Sequence, residues 1–295
     1  MDRCKEIERS IITTYRKKIW GRFVRGIKEY RMVGEGDSIA VCISGGKDSM
    51  LLAKCMQELV RHSLVKFTLK FIVMDPGYAP ANLERICYNA QLLGIPIDIF
   101  KSDVFEVSEK LRGDKPCYMC ARMRRGFLYE RAKELGCNKI ALGHHFDDAI
   151  ETLLINMIYG AQMGGMLPRL KSTSHEGMEL IRPLYYVKEQ DIINWSKHNG
   201  LEFIRCACSF TERGAGDENL SKRKEVKKII EELRKGYANV DINLFRSAYN
   251  VHVDTLIAWD SKGETHSFMD RFASDTDAIS SDGACDRLDN APDNA

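Results

Sequence analysis

The sequence predicts an α/β protein with a doubly wound, mostly parallel sheet and helical appendages at both ends. Strand-length apolar runs alternate with segments of helical length between residues 38 and 159. Those runs are continuously apolar, as strands covered on both faces are. A glycine pair also stands where the first strand gives way to a helix, a place where open α/β sheets bind ligands.

Residues 3–31 read as one basic helix, with Ile12, Tyr15, Ile19, Phe23 and Ile27 at steps of three and four, ended by Gly34 and Gly36. Ser38–Ser44 is the first strand and 47–61 a helix. Lys66–Met74 is the second strand, 82–93 a helix, and Ile95–Phe100 the third strand. After a polar loop, 119–135 reads as a helix ending at Gly136, followed by a strand at Lys139–Leu142 and a helix at 146–159. Pro168 and Pro183 flank a polar hairpin or loop at 171–179. Residues 187–199 read as a helix, 201–205 as extended, and 220–236 as a Lys-rich helix. The divisions are then 1–36, a basic N-terminal helix; 37–210, a nucleotide-binding domain carrying metal-binding cysteines; 211–259, a helical region; and 260–295, an acidic disordered tail.

The 295 residues carry 44 Lys+Arg against 42 Asp+Glu, with 44% hydrophobic content, which excludes global disorder. The charge is unevenly placed: 260–295 hold nine acidic and three basic residues, while 1–31 hold ten basic and four acidic. A basic body suits a polyanionic partner, although a solvated charged face has the same composition. No apolar run approaches a membrane span and the N-terminus has no secretory pattern, so a cytoplasmic protein without membrane association is expected.

The most informative stretch is AVCISGGKDSMLL at 40–52. Gly45 and Gly46 let the backbone fold into a concavity of amide donors, and the following helix adds its positive end. Lys47 supplies a point charge for phosphate oxygens, Ser44 and Ser49 supply hydroxyls, and Asp48 can hold Mg2+. The spacing is not the Walker pattern. The bland alternative is a capped strand-to-helix turn.

Ten cysteines without a secretory signal point to metal or catalytic thiols rather than disulfides. Cys42, Cys55 and Cys87 read as ordinary buried thiols. Cys117 and Cys120 in CYMC, and Cys206 and Cys208 in CAC, have ligand-like spacing. A structural zinc site, a redox pair, and a three-cysteine [4Fe–4S] cluster all remain open at this point.

GHHFDDAIET at 143–152 follows the fourth strand. Gly143 permits close backbone approach, and Asp147 and Asp148 can assist magnesium or handle a proton. His144 and His145 are candidate bases or phosphate donors; the bland alternatives are that Asp147 simply caps the following helix and that one histidine is structural. Met74 and Asp75 close the second strand at the same sheet edge, where Asp75 is also a plausible turn former. Arg124 and Arg125 can stabilise phosphate charge or contact RNA, or simply be solvated. Arg122, the N-terminal helix and Lys222, Arg223, Lys224, Lys227 and Lys228 are further candidate phosphate contacts. Tyr15, Trp20 and Phe23 read as packing rather than base-stacking residues.

SGGKDS at 44–49 resembles the pyrophosphate loop of the N-type ATP pyrophosphatases (PP-loop superfamily). CxxCxxxRRG at 117–126, GHHFDDAIETLLINMIYG at 143–160, RPL at 182–184 and the late cysteines resemble the tRNA 2-thiocytidine synthetase (TtcA) family, over about 37–210. The resemblance implies a tRNA sulfurtransferase that adenylates the C2 carbonyl of an anticodon-loop cytidine with ATP and replaces its oxygen with sulfur. It implies ATP on Ser44, Gly45, Gly46, Lys47, Asp48, Ser49, Met74, Asp75 and Gly143, with Lys47, Asp48, Arg124 and Asp148 catalytic and Mg2+ on Asp48. By position it implies a [4Fe–4S] cluster on Cys117, Cys120 and Cys206. The family's downstream cysteines form CxxC, whereas this chain has CAC, so Cys208 is the alternative third ligand. The implied partners are tRNA and a sulfur donor (a cysteine desulfurase or free sulfide), and a homodimer. The alternatives are another tRNA base, a small adenylated substrate, or a non-catalytic ATP- or RNA-binding module.

Overall fold

A computed structural model describes residues 2–102, 116–204 and 218–272, and within them all side chains except those of 116–122 and 218–221. The main sheet has six strands: β1 (Ser38–Ile43), β2 (Thr68–Asp75), β3 (Ile97–Lys101), β4 (Lys139–Ala141), β5 (Arg169–Lys171) and β6 (Glu179–Ile181). Their order is β3-β2-β1-β4-β6-β5. Every pairing is parallel except β5 on β6, where the expected polar hairpin supplies one antiparallel edge. The connections run one way from β1 to β2 and the other way to β4. A crevice therefore opens at the carboxyl ends of β1 and β4.

The helices are α1 (Arg3–Ile12), α2 (Gly21–Glu29), α3 (Lys47–His62), α4 (Pro80–Leu92), α5 (Pro116–Glu134), α6 (Phe146–Gly160), α7 (Glu189–His198), α8 (Glu218–Gly236) and α9 (Val240–Ser247). Side-chain alternation along the strands divides the core between two faces. Ile39, Val41, Phe71 and Val73 pack with α1 to α4 and Trp195 of α7. Ala40, Cys42 and Ile72 face Tyr129 and Ala132 of α5. Phe146 and Ile150 of α6 form a satellite core with Val226 and Ile230 of α8 and Phe245 of α9. Cys42 and Cys55 are buried as expected, but Cys87 is exposed, because it lies on the outer face of α4.

The N-terminal segment is not the single helix its periodicity suggests. A π-helical turn, Arg16–Trp20, separates α1 from α2. The Thr13 hydroxyl donates to the Arg9 carbonyl at 2.7 Å, and the Tyr15 N–H reaches back five residues to the Ser10 carbonyl. A β-branched residue with its own hydrogen bond to offer competes with the helical ladder here. The wider turn leaves Ile19 and Phe23 both fully buried. Trp20 stacks on Phe23 at 5.5 Å and Tyr15 meets the edge of His198 at 5.8 Å, so these aromatics pack.

The chain divides into two compact units, 1–248 and 249–295. In the second, the expectation of disorder from residue 260 fails for its first part. β7 (Ala258–Ser261) and β8 (Glu264–Ser267) form an antiparallel hairpin. Lys262 and Gly263, at φ 55° and 87°, make the two-residue turn that matches strand twist. Trp259 and His266 stack across the pair at 5.4 Å. The acidic composition hid this local pattern. Residues 273–295 lie outside the described residues.

Candidate active site

The glycines of the loop after β1 have two separate tasks. Gly45 has φ +80°, and a Cβ there would come within 2.5 Å of Ile86 and 2.7 Å of Ile204. Gly46 is the N-cap of α3, with no side chain capping it, so the first amides of that helix stay available to an anion. Ser49 ties the loop together. Its hydroxyl accepts from the Ser44 N–H and hydroxyl at 3.2 Å and donates to the Gly46 carbonyl at 3.0 Å.

Gly143, after β4, brings a second strand end against this loop. A Cβ at Gly143 would lie 3.0 Å from the Ser49 nitrogen and 3.1 Å from the Asp48 carbonyl carbon. His145 then caps α6 in a reciprocal box with Asp148. The His145 N–H donates to Asp148 Oδ2 at 3.0 Å, and the Asp148 N–H points to His145 Nδ1 at 3.4 Å. Asp148 Oδ1 pairs with Arg223 of α8 at 3.2 Å. Burial works to raise the Asp148 carboxyl, but His145, His144 and Arg223 outweigh it and bring it below the ordinary value. It is a counter-charge for Arg223. His144 is driven the other way, down to about 4, mainly by burial, so it is neutral near pH 7. Its Nδ1 is buried with no hydrogen-bond partner.

These strand ends enclose a cleft of about 840 Å³. Of the residues singled out in the sequence, Ser44, Asp48, Ser49, Met74, Gly143, His144, Asp148, Arg124, Arg125 and Arg223 line it. Asp48 fits a cation. Its Oδ2 accepts from Lys47 at 3.2 Å, while Oδ1 is buried without a hydrogen bond, 3.8 Å from His145 Nε2. Burial, partly offset by His145 and Lys47, raises the Asp48 carboxyl. Lys47 is turned toward α7, where Glu189 accepts from it at 3.0 Å. Asp75 does not line the cleft. Its Oδ1 accepts from the Gly77 and Tyr78 amides at 2.9 and 2.8 Å, the turn-forming role. Asp147 also faces elsewhere, accepting from the Glu189 amide at 2.7 Å and from Arg234 at 2.8 Å.

Residues the sequence reading passed over complete the site. Tyr78 lines the cleft as Met74 does, and Arg182 joins Arg124, Arg125 and Arg223 on the walls. The cleft thus combines amide donors, a carboxylate with a free lone pair, and four guanidinium groups, a composition for binding phosphates and stabilising phosphoryl transfer. Behind it, Glu189 Oε2 accepts from Lys227 at 2.9 Å. Burial works to raise Glu189, but Lys227 and Lys47 outweigh it and bring it to about 2. Glu189 gave no sequence signal beyond its place in a helix, because its partners are distant in the chain.

Cys117 and Cys120 stand one turn apart at the start of α5, the helix that carries Arg124 and Arg125 to the cleft. Their side chains, and Cys206 and Cys208 altogether, lie outside the described residues.

A profile of the PP-loop domain family matches residues 21–209. The chain is 35% identical, over 80% of its length and 90% of the other's, to a Geobacter sulfurreducens protein named tRNA-cytidine(32) 2-sulfurtransferase. A Vibrio vulnificus protein of the same name is 36% identical over 80% of this chain and 74% of its own. Among solved structures, the U34-tRNA thiolase NcsA from Methanococcus maripaludis, with its [4Fe–4S] cluster, superposes with a TM-score of 0.63 at 22% identity, covering 78% of this chain and 76% of that one. That likeness shows the shared fold.

Proposed function

The chain belongs to the tRNA 2-thiocytidine synthetase family of PP-loop proteins, and from that membership we propose that it is an ATP-dependent tRNA sulfurtransferase. Its substrate is the anticodon-loop cytidine at position 32, named in its relatives, and its product 2-thiocytidine. The observation that carries the reading is the single cleft in which the phosphate loop, Gly143 and Asp148 meet Arg124, Arg125, Arg182 and Arg223.

ATP lays its pyrophosphate on the amides of Gly45 to Ser49, with Lys47 taking part of the charge and the nucleoside toward Met74 and Tyr78; Asp48 would hold a Mg2+ that would neutralise further phosphate charge. The C2 carbonyl oxygen attacks the α-phosphorus; an O–P bond forms as the bond to pyrophosphate breaks. Arg124 stabilises the charge on the transferring phosphoryl group. Sulfide then attacks C2; a C–S bond forms as the bond from C2 to oxygen breaks, and AMP leaves with that oxygen. Adenylation is needed because a bare carbonyl oxygen is a poor leaving group.

The donor set of two cysteines one helical turn apart, beside the arginine-bearing stretch of α5, suits a metal centre. Held by Cys117, Cys120 and Cys206, with Cys208 the alternative third ligand, a [4Fe–4S] cluster would carry the donor's sulfide on an open iron. The proposed partners are tRNA and a cysteine desulfurase or free sulfide, and the proposed assembly is a cytoplasmic homodimer. Among the described residues no helix is long and apolar enough to cross a membrane.

Nucleoside mass spectrometry of bulk tRNA from cells with and without the gene tests this. Loss of 2-thiocytidine is expected; loss of a different thionucleoside moves the enzyme to another base, and no change in any thionucleoside removes the reading.

A further inference from the structure

We propose that Arg182 grips a backbone phosphate of the RNA beside the acceptor nucleotide, a contact separate from those that hold ATP. The inference rests on the reading of the cleft as an ATP- and RNA-using site, and adds where the RNA is held.

Buried cations elsewhere in the described residues have carboxylate partners. Lys54 pairs with Glu8 at 2.6 Å and Lys139 with Asp37 at 2.6 Å. Arg182 is as buried, at 7% exposure, yet among the described residues it has no carboxylate within ion-pair distance. Its Nη1 donates to the Leu167 carbonyl, and its Nε is buried with no hydrogen-bond partner. Burial, reinforced by the like charge of Arg125 and only partly opposed by Tyr185, Tyr129 and the more distant Asp148 carboxylate, pushes the guanidinium down to about 10. A buried guanidinium with an unused donor on the wall of an open cleft is set up for an anion, because burial of an unpaired charge is costly.

Its place in the sheet selects which anion. The phosphate loop leaves β1, and Met74 and Tyr78 mark the β2 side of that loop. Arg182 follows β6, on the opposite side of β1 with β4 between them. Two strand spacings put it roughly 10 Å from the loop's strand. A nucleotide stretched from the loop toward Met74 and Tyr78 runs away from Arg182. The acceptor must enter from the β6 side, where Leu128, Met166 and Leu170 add apolar surface suited to a base turned out of its stack.

The test is filter binding of tRNA across a salt series, with ATP affinity measured in parallel, on the wild type, Arg182→Gln, Arg182→Lys and Arg125→Gln. Arg182→Gln is expected to weaken tRNA binding about 10-fold and lower the salt slope by about one, with ATP affinity unchanged. Arg182→Lys keeps the slope and recovers part of the affinity, being a point charge without the guanidinium fork. Unchanged tRNA and ATP binding in Arg182→Gln makes Arg182 a structural cation and overturns the proposal. Weakened ATP binding with unchanged tRNA binding assigns it to the nucleotide and also overturns it. Should Arg182→Gln fail to fold, the exposed Arg125, whose charge bears on Arg182, decides: a lowered slope in Arg125→Gln supports an RNA phosphate between the two, and an unchanged slope overturns it. A wild type that binds no tRNA sinks the functional reading itself, before any variant is compared.

Discussion

Lys47 Nζ and Glu189 Oε1 lie 3.0 Å apart, joining the phosphate loop to the first turn of α7. The carboxylate competes with any phosphate for the lysine, and its other oxygen holds Lys227. Glu189→Gln removes that competition and one negative charge behind the loop. ATP affinity, measured by calorimetry, should therefore rise by about 3- to 10-fold, while the melting temperature falls by an amount corresponding to roughly 1 kcal/mol for the two weakened pairs. Weaker ATP binding would show that Glu189 presents Lys47 to the phosphate instead. Lys47→Ala should cut pyrophosphate release by about 100-fold or more.

Gly143→Ala places a methyl group about 3 Å from the backbone of Asp48 and Ser49, which cannot rotate away. Pyrophosphate release should fall by more than tenfold, since roughly 1.4 kcal/mol of misplacement is enough for that, with the sheet still folded by circular dichroism. Normal turnover would mean the two strand ends can separate without harm.

His144 gives a pH signature. Its folded value of about 4 lies below the ordinary 6.5, with burial as the main cause. The unfolded chain therefore takes up a proton that the folded protein refuses. Its contribution to stability is complete above pH 6.5 and is lost as pH falls toward 4, by up to about 3 kcal/mol. Thermal melts between pH 7.5 and 4.5 should show a smaller acid loss in His144→Gln than in the wild type. Parallel acid limbs would assign the loss to other groups.

Cys117→Ser should abolish the brown colour and iron content of anaerobically purified protein while leaving ATP affinity unchanged. A variant that keeps full iron content would remove Cys117 from the ligand set.

Local features of the site were legible in the sequence because they are made locally. A strand, two glycines, a lysine and an acid in one run determine the loop at 44–49, and continuous apolar strands determine the two-sided sheet. Relationships between distant elements were not legible. Nothing in RPL at 182–184 announces a buried guanidinium without a carboxylate. Nothing around Glu189 announces that it bridges Lys47 and Lys227, residues 142 and 38 positions away. The break in the N-terminal helix escaped because its apolar spacing survives the π-helical turn, and the hairpin at 258–267 escaped because acidic composition outweighed a two-residue turn signal.

The matched family profile ends at residue 209, yet α8 lies beyond it. From α8, Arg223 reaches Asp148, Lys227 reaches Glu151 and Glu189, and Arg234 reaches Asp147 and Asp241. A fragment trimmed to the profile would keep every strand of the main sheet, strip Asp147 and Glu151 of their counter-ions, take Arg223 from Asp148, and leave Glu189 with Lys47 alone. The smallest working enzyme is thus longer than the recognisable module, and a domain graft or minimised variant should be cut after α9.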